Sequence, residues 1–196
     1  MRILSDEEVL QTFRDTKALL SGHFELRSKL HSDQYFQCAL VLQYPKVAER
    51  LCRSLHDTMR QKANSTTFMP SAVISPALGG LVIGQELARV MGLRHIFAEK
   101  EDNKLVLRRG FKINKGDHFV VAEDVMTRGG RIQEAIKIVE DAGGVIDAIA
   151  VIADRSGGKA TFPYPIYSMI KMEPVTWEPG NCPLCKQGVP LDHPGS

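Results

Sequence analysis

Residues 118–142, HFVVAEDVMTRGGRIQEAIKIVEDA, gather side chains that few sites need together. Glu123 and Asp124 are adjacent carboxylates, and Val125 and Met126 lead directly into Thr127, Arg128, Gly129, Gly130 and Arg131. Glycines let a backbone turn sharply and come close to a ligand. The unpaired N–H groups of such a loop, and of a helix start, seat an anion, most naturally a phosphate. Arg128 and Arg131 add positive charge. Two carboxylates beside a phosphate would repel it, so they make sense facing hydroxyl donors or a cation. A sugar phosphate, which carries a phosphate and a diol, meets both demands.

Chemistry of this kind needs an element that holds all its parts on one rim. Residues 119–122 are a short apolar run rich in β-branched side chains, the pattern of a buried strand in a parallel sheet, with the two acids at its tip. Beyond the glycines, Ile132, Ala135, Ile136 and Val139 recur at helical spacing. The order is therefore strand, acidic tip, glycine loop, helix. An acidic strand end or a Gly-Gly turn is ordinary on its own; the sequence of all four is not.

Residues 120–131, VVAEDVMTRGGR, resemble the phosphoribosyl pyrophosphate (PRPP) motif of the type I phosphoribosyltransferases. The resemblance implies that Glu123 and Asp124 hold the ribose hydroxyls, that Thr127 to Arg131 hold the 5-phosphate and that Val125 and Met126 join them in binding PRPP, with Arg at 128 and 131 where the family commonly has hydroxyl residues. It also implies a PRPP-binding α/β core with a parallel sheet flanked by helices.

Length and composition agree with that class. The 196 residues, 43% hydrophobic and 24% charged, suffice for one α/β domain with a sizeable core. A net charge of +2 with scattered basic residues points to a small anionic substrate and away from nucleic acid. No charged leader precedes an apolar run and no apolar stretch approaches 18 residues, so a cytoplasmic protein without a membrane partner is expected. Cys38, Cys52, Cys182 and Cys185 are expected as thiols.

Along the chain, Ser5 with Glu8 signals a capped helix running to about Leu20, ended by Gly22. Residues 24–26 and 34–39 read as a hairpin, and Pro45 fits the first turn of a helix that carries Val47, Leu51, Leu55 and Met59 on one face. Strands follow at 72–74, 94–98, 119–122, 145–153 and 166–170, alternating with helices. That pattern argues a parallel sheet with ligand loops at its strand C-termini. Residues 1–65 form helices and a small hood, 66–172 the core, and 173–196 a tail of one compact domain. The tail holds five of the ten prolines and is expected to lack regular structure.

Three further loops fall on the same rim. Ser75 to Gly80 precedes a helix; in the resemblance it is the pyrophosphate loop, served by the backbone of Ala77, Leu78 and Gly79, with Gly79 where orotate enzymes often place Lys. The charge-rich stretch 99–110 resembles the family's mobile loop, which implies Lys100 beside Asp124 as a catalytic residue and Arg108 and Arg109 as PRPP ligands. In the family that loop often reaches into a neighbouring subunit, so a homodimer is implied. The hood sequence Phe24-Glu-Leu-Arg-Ser28, with Ser32, Tyr35 and Phe36, is similar to the base hood of the orotate phosphoribosyltransferases. Arg27, Tyr35, Phe36, Thr127 and Arg155 are thereby implied to bind orotate. A guanidinium suits the carboxylate by its planar fork.

The expected activity is transfer of the phosphoribosyl group of PRPP to orotate, giving orotidine 5-phosphate and pyrophosphate in pyrimidine synthesis, with Mg²⁺ carried mainly by PRPP. A purine salvage transferase and a PRPP-sensing regulator are the alternatives; the hood opposes the first, and the lack of a helix-turn-helix or basic stripe opposes the second. Cys182-Pro-Leu-Cys185 supplies two of the four ligands that a closed zinc site needs, and His193 is an available third; a weak knuckle or a purely structural tail motif is expected.

Overall fold

Ser5 starts the first helix as its sequence dictates. In the computed structural model, which describes residues 2–26, 28–63 and 68–194, the Ser5 hydroxyl accepts the Glu8 amide at 3.3 Å and the Glu8 carboxylate accepts the Ser5 amide at 3.0 Å. Helix α1 (Asp6–Asp15) is shorter than its apolar spacing implies. Leu19 and Leu20 belong instead to β1 (Leu19–Glu25), where they pair with Phe36 and Tyr35 of β2 (His31–Phe36). Cross-strand pairing has overridden local helical preference. Gly22 sits at an irregularity of this ladder rather than at a helix end, and a Cβ there would meet the Phe24 ring at 2.9 Å.

A short α2 (Cys38–Leu42) stands where the sequence reads as the end of a strand, and α3 (Pro45–Lys62) begins at Pro45 as expected, burying Leu51, Leu55 and Met59. The core then alternates: β3 (Ala72–Pro76), α4 (Gly80–Met91), β4 (Arg94–Glu101), β5 (Lys104–Leu107), β6 (His118–Met126), α5 (Gly130–Asp141), β7 (Val145–Asp154) and β8 (Ile166–Lys171). The sheet order is β5-β4-β3-β6-β7-β8, parallel throughout except for the antiparallel edge strand β5.

Strand periodicity sorts the core into two layers. Val120 and Ala122 of β6 face a cluster that includes Phe13, Leu51, Leu55 and Leu87, while Phe119 and Val121 face Ile132, Ile136 and Val139 of α5. Each fully buried Val, Ile or Phe contributes about 1.5–3 kcal/mol. A β6 covered on both faces is thus fixed in depth, and its C-terminal end projects the acids reproducibly.

The tail is not irregular. β9 (Thr176–Trp177) adds to β2, giving a second sheet of order β1-β2-β9, and α6 (Pro183–Lys186) follows a 3-10 turn. Asp192 then bonds back to β1: its amide donates to His23 O at 2.8 Å and its carbonyl accepts the Glu25 amide at 3.0 Å. Its five prolines fall at turns, at helix starts and outside the strand, where a missing N–H costs no ladder bond. No helix among the described residues is long and apolar enough to cross a membrane.

Candidate active site

Strand β6 runs on through the acids to Met126, so Glu123 and Asp124 lie within the strand rather than beyond its tip. Glu123 is 7% exposed, and its Oε1 accepts the Asp124 amide at 3.1 Å. Asp124 Oδ1 accepts the Val125 amide at 2.8 Å. Burial pushes the Glu123 carboxyl well above the ordinary carboxylate range, reinforced by the Asp124 charge beside it; burial raises Asp124 as well. Two half-desolvated acids in contact titrate as a pair and hold a proton that a cation or hydroxyl donors would displace.

That arrangement has a pH signature. The folded pair binds a proton more tightly than the unfolded chain does. Its contribution to stability is therefore complete below the ordinary carboxylate range and is lost as pH rises toward the raised value. Glu123→Gln should flatten the fall in melting temperature between about pH 5 and about pH 9. Parallel melting curves for the two proteins would show that the pair is not strained in the free protein.

The loop after β6 turns at Gly129, whose φ of 75° is left-handed. A Cβ there would also meet the Phe162 ring at 2.7 Å, so position 129 admits glycine on two counts. Gly129 caps α5 without a side-chain hydrogen bond, and the first-turn N–H groups of α5 have no intrahelical partner. A cavity of about 320 Å³ lies against them, lined by Glu123, Thr127, Arg128, Gly130 and Arg131 among others. Arg131 is not simply a phosphate ligand: it is paired with Glu134 at 3.0 Å, one helical turn on, although its charge still lowers Glu123. Arg128 is exposed beside the same cavity.

The loop between β3 and α4 meets the acids from the side. Ala77 donates its amide to Ala98 O at 2.8 Å, the Ala77-Leu78 peptide is cis, and Leu78 is 82% exposed. A Cβ on Gly79 would meet Asp124 Oδ1 at 2.7 Å. The absence of a side chain at 79 thus has a steric reason: the loop backbone lies directly against Asp124. A Lys could be accommodated there only by moving that carboxylate.

Residues 99–110 are largely an ordered hairpin rather than an open loop. β4 and β5 pair from Ala98↔Leu107 to Glu101↔Lys104, turning on Asp102 and Asn103, both at positive φ. Arg109 grips Glu99 through two bonds of 2.8 Å and Arg108 contacts Glu101 at 3.1 Å. Both expected PRPP ligands are therefore engaged within the hairpin. Lys100 is exposed, and no ion pair involves it among the described residues.

A larger cavity of about 560 Å³ opens between the core and the hood, lined by Asp124, Val125, Thr127 and Arg155 on one side and by Glu25, Leu26, Ser28, Tyr35, Phe36, Gln37 and Cys38 on the other. That volume suits a base joined to a sugar. Parallel pairing sets Met126 opposite Asp154, and the Arg155 amide donates to Met126 O at 2.8 Å, which fixes Arg155 next to Thr127. Asp154 accepts the Ser156 amide at 2.9 Å and hydroxyl at 2.7 Å, locking the turn. The Arg155 Nε is buried and has no hydrogen-bond partner among the described residues, and burial pushes the guanidinium pKa down. Tyr35 stacks near Phe24 at 5.8 Å between centroids, half-buried on the cavity wall. Phe36, its neighbour on the opposite strand face, is 6% exposed and packs on Phe13 at 4.9 Å, so it supports the wall more than it presents a surface. Arg27 lies outside the described residues; the flanking Leu26 and Ser28 line the cavity.

Residues 43–184 match the family described as a phosphoribosyl transferase domain. Orotate phosphoribosyltransferase of Caldicellulosiruptor saccharolyticus is 47% identical over 193 residues, covering 98% of both chains, and that of Heliobacterium modesticaldum is 44% identical over 98% of this chain and 99% of its own. The solved orotate phosphoribosyltransferase of Aeropyrum pernix superposes with a TM-score of 0.69 at 22% identity, over 84% of this chain and 94% of that one. An adenine phosphoribosyltransferase from Thermoanaerobacter pseudethanolicus also shares the fold, with a TM-score of 0.59 at 19% identity over 71% and 88% of the two chains, so the fold alone does not select the base. A phosphoribosyltransferase is the class that this fold and rim define. The chain belongs to the orotate phosphoribosyltransferase family, and it is an enzyme of that type.

Proposed function

We propose that the chain transfers the phosphoribosyl group of PRPP to orotate, releasing pyrophosphate, in pyrimidine synthesis. The observation that carries the choice of base is Arg155, a half-buried guanidinium on the wall that the core turns toward the hood, whose Nε has no hydrogen-bond partner among the described residues. An unpaired buried donor is costly, and a planar carboxylate on the ligand would satisfy it. Turnover of PRPP with orotate, uracil, hypoxanthine and adenine in turn tests the reading: orotate alone should be consumed, and consumption of a purine in its place would overturn it.

Displacement at the anomeric carbon passes through an oxocarbenium-like state, so the protein's task is to position groups and complement charge; no covalent nucleophile is required. Glu123 and Asp124 accept the ribose hydroxyls, which resolves the crowding of two buried acids. Residues 125–131, with the N-terminus of α5, hold the 5-phosphate, and the backbone of Ala77, Leu78 and Gly79 faces the pyrophosphate. Thr127, Tyr35 and Arg155 bound the base, with Phe36 behind them. Arg27 adds a second positive charge to that set by its place in the hood sequence.

Mg²⁺ fits these residues. The carboxylates present oxygen donors only; burial raises the pKa of both, and the Asp124 charge adds to it for Glu123, so a cation carried in by the ligand would relieve the pair. When bound on PRPP it would neutralise charge on the departing pyrophosphate.

Lys100 supplies the loop's catalytic cation, and Arg108 and Arg109 join it on release from Glu101 and Glu99, whose exposed pairs are cheap to break. The working unit is a homodimer whose hairpin serves the partner's site; exchange of subunits between two inactive variants tests this. The placement is cytoplasmic, in keeping with four cysteines that form no disulfide with one another.

A further inference from the structure

Four side chains outside the active site converge where the hood meets the tail. His23 comes from β1, His31 from β2, and Cys182 and Cys185 from the start and third residue of the short α6 turn. Their ligating atoms all lie within 4.8 Å of one another. His23 Nε2 stands 2.9 Å from His31 Nδ1, 3.5 Å from Cys182 Sγ and 3.6 Å from Cys185 Sγ, and Cys185 Sγ lies 3.3 Å from His31 Nδ1. His193, the third ligand expected from sequence, is elsewhere: its Nδ1 faces Glu25 at 3.6 Å.

We propose that this cluster is a closed structural zinc site of two histidines and two cysteines, which clamps the C-terminal tail onto the hood. Tetrahedral Zn²⁺ with Zn–S of about 2.3 Å and Zn–N of about 2.0–2.1 Å sets its ligand atoms roughly 3.3–3.8 Å apart, the range in which three of the four sulfur–nitrogen distances fall, the fourth lying within 4.8 Å. Only the imidazole pair at 2.9 Å is closer, a separation that suits a shared proton; exchanging that proton for the metal opens it by about 0.4 Å.

Three further features favour a metal over a chance polar cluster. His23 Nδ1 lies 2.8 Å from the carbonyl of Val189, to which it donates, so the tautomer is fixed with the Nε2 lone pair turned into the cluster. Cys182, His23 and His31 are 0%, 3% and 4% exposed and Cys185 closes the site from the exposed rim; four protein ligands fill a tetrahedral ion, which leaves no open coordination position for water or substrate and marks the site as structural. Two thiolates also balance Zn²⁺ in charge, so a buried site of this composition carries no net charge.

The ligands come from opposite ends of the chain. A metal joining positions 31 and 182 removes much of the freedom of the unfolded chain between them, and it holds in place the same β2 strand that carries Tyr35.

The site is independent of the transfer reaction and is tested by metal binding alone. Full-length protein purified with reductant should hold about one zinc ion per chain by elemental analysis. After denaturing chelation and refolding, Co²⁺ should give the intense visible bands of a tetrahedral ion together with thiolate-to-cobalt charge transfer. Cys185→Ser and His31→Gln should lose the metal, and His193→Ala should keep it. Should either variant fail to fold, the wild-type cobalt spectrum decides. Reduced protein that takes up neither Zn²⁺ nor Co²⁺, or a cobalt spectrum that is octahedral without a thiolate band, would overturn the site and leave only a hydrogen-bonded cluster.

Discussion

Asp124→Asn is expected to lower PRPP turnover by about one to three orders of magnitude while the protein stays folded. Asparagine keeps the shape and can still offer Oδ1 to the Val125 amide, now at 2.8 Å, so the end of β6 is preserved. What it loses is half of an acceptor pair: the amide nitrogen faces a ribose hydroxyl as a donor where an acceptor is needed. The substitution also removes a carboxylate whose burial raises its pKa, so melting temperature at neutral pH should be equal or higher. Reduced activity in a protein that is no less stable separates a role in the reaction from a role in the fold. Unchanged turnover would remove Asp124 from the site. The same variant reports on subunit sharing. Mixed with Lys100→Ala protein under conditions of demonstrated subunit exchange, it should regain activity, because one site of each mixed dimer then carries both native residues. If exchange occurs and nothing is regained, the hairpin acts within its own chain.

What could be read from sequence was what is local. The acids, the glycine loop and the helical spacing from Ile132 to Val139 are adjacent in the chain, and each element's period is set by its own residues, so the core strands fell where expected. Leu19 and Leu20 show the opposite case: their spacing continues the first helix, but pairing with Phe36 and Tyr35 captures them in β1. The pairing of Arg131 with Glu134 was hidden from sequence, because it depends on a side-chain geometry that sequence does not carry. The reason for Gly79 was equally hidden, since the obstacle to a side chain there is Asp124, 45 positions away. The order of the tail was hidden for the same reason: proline content describes the segment alone, whereas the histidines its cysteines meet, His23 and His31, are more than 150 residues earlier. Two buried histidines on one hairpin were the available signal, but the register pairs His31 with Glu25 and only the irregularity between Ser21 and Phe24 brings His23 against His31.

Arg155→Met should collapse base selectivity. Orotate differs from uracil by one carboxylate, and Arg155 is a half-buried cation on the cavity that the core shares with the hood. A site that holds a guanidinium for a carboxylate leaves it unpaired when uracil binds, whereas methionine fills a similar volume and asks for no partner. Orotate's kcat/KM is expected to fall about a hundredfold or more, about 2.8 kcal/mol or above at 1.4 kcal/mol per factor of ten, with uracil nearly unaffected. The KM for PRPP should change little, because the acids and the phosphate loop are anchored by β6 and α5 rather than by this side chain. Melting temperature is again informative. Since the Nε of Arg155 has no partner among the described residues and burial already disfavours its charge, its removal should leave stability equal or higher, unlike the loss of a satisfied buried ion pair. A variant that loses PRPP binding and keeps its preference for orotate would make Arg155 a phosphate ligand and move the recognition of the base carboxylate to other residues of the hood.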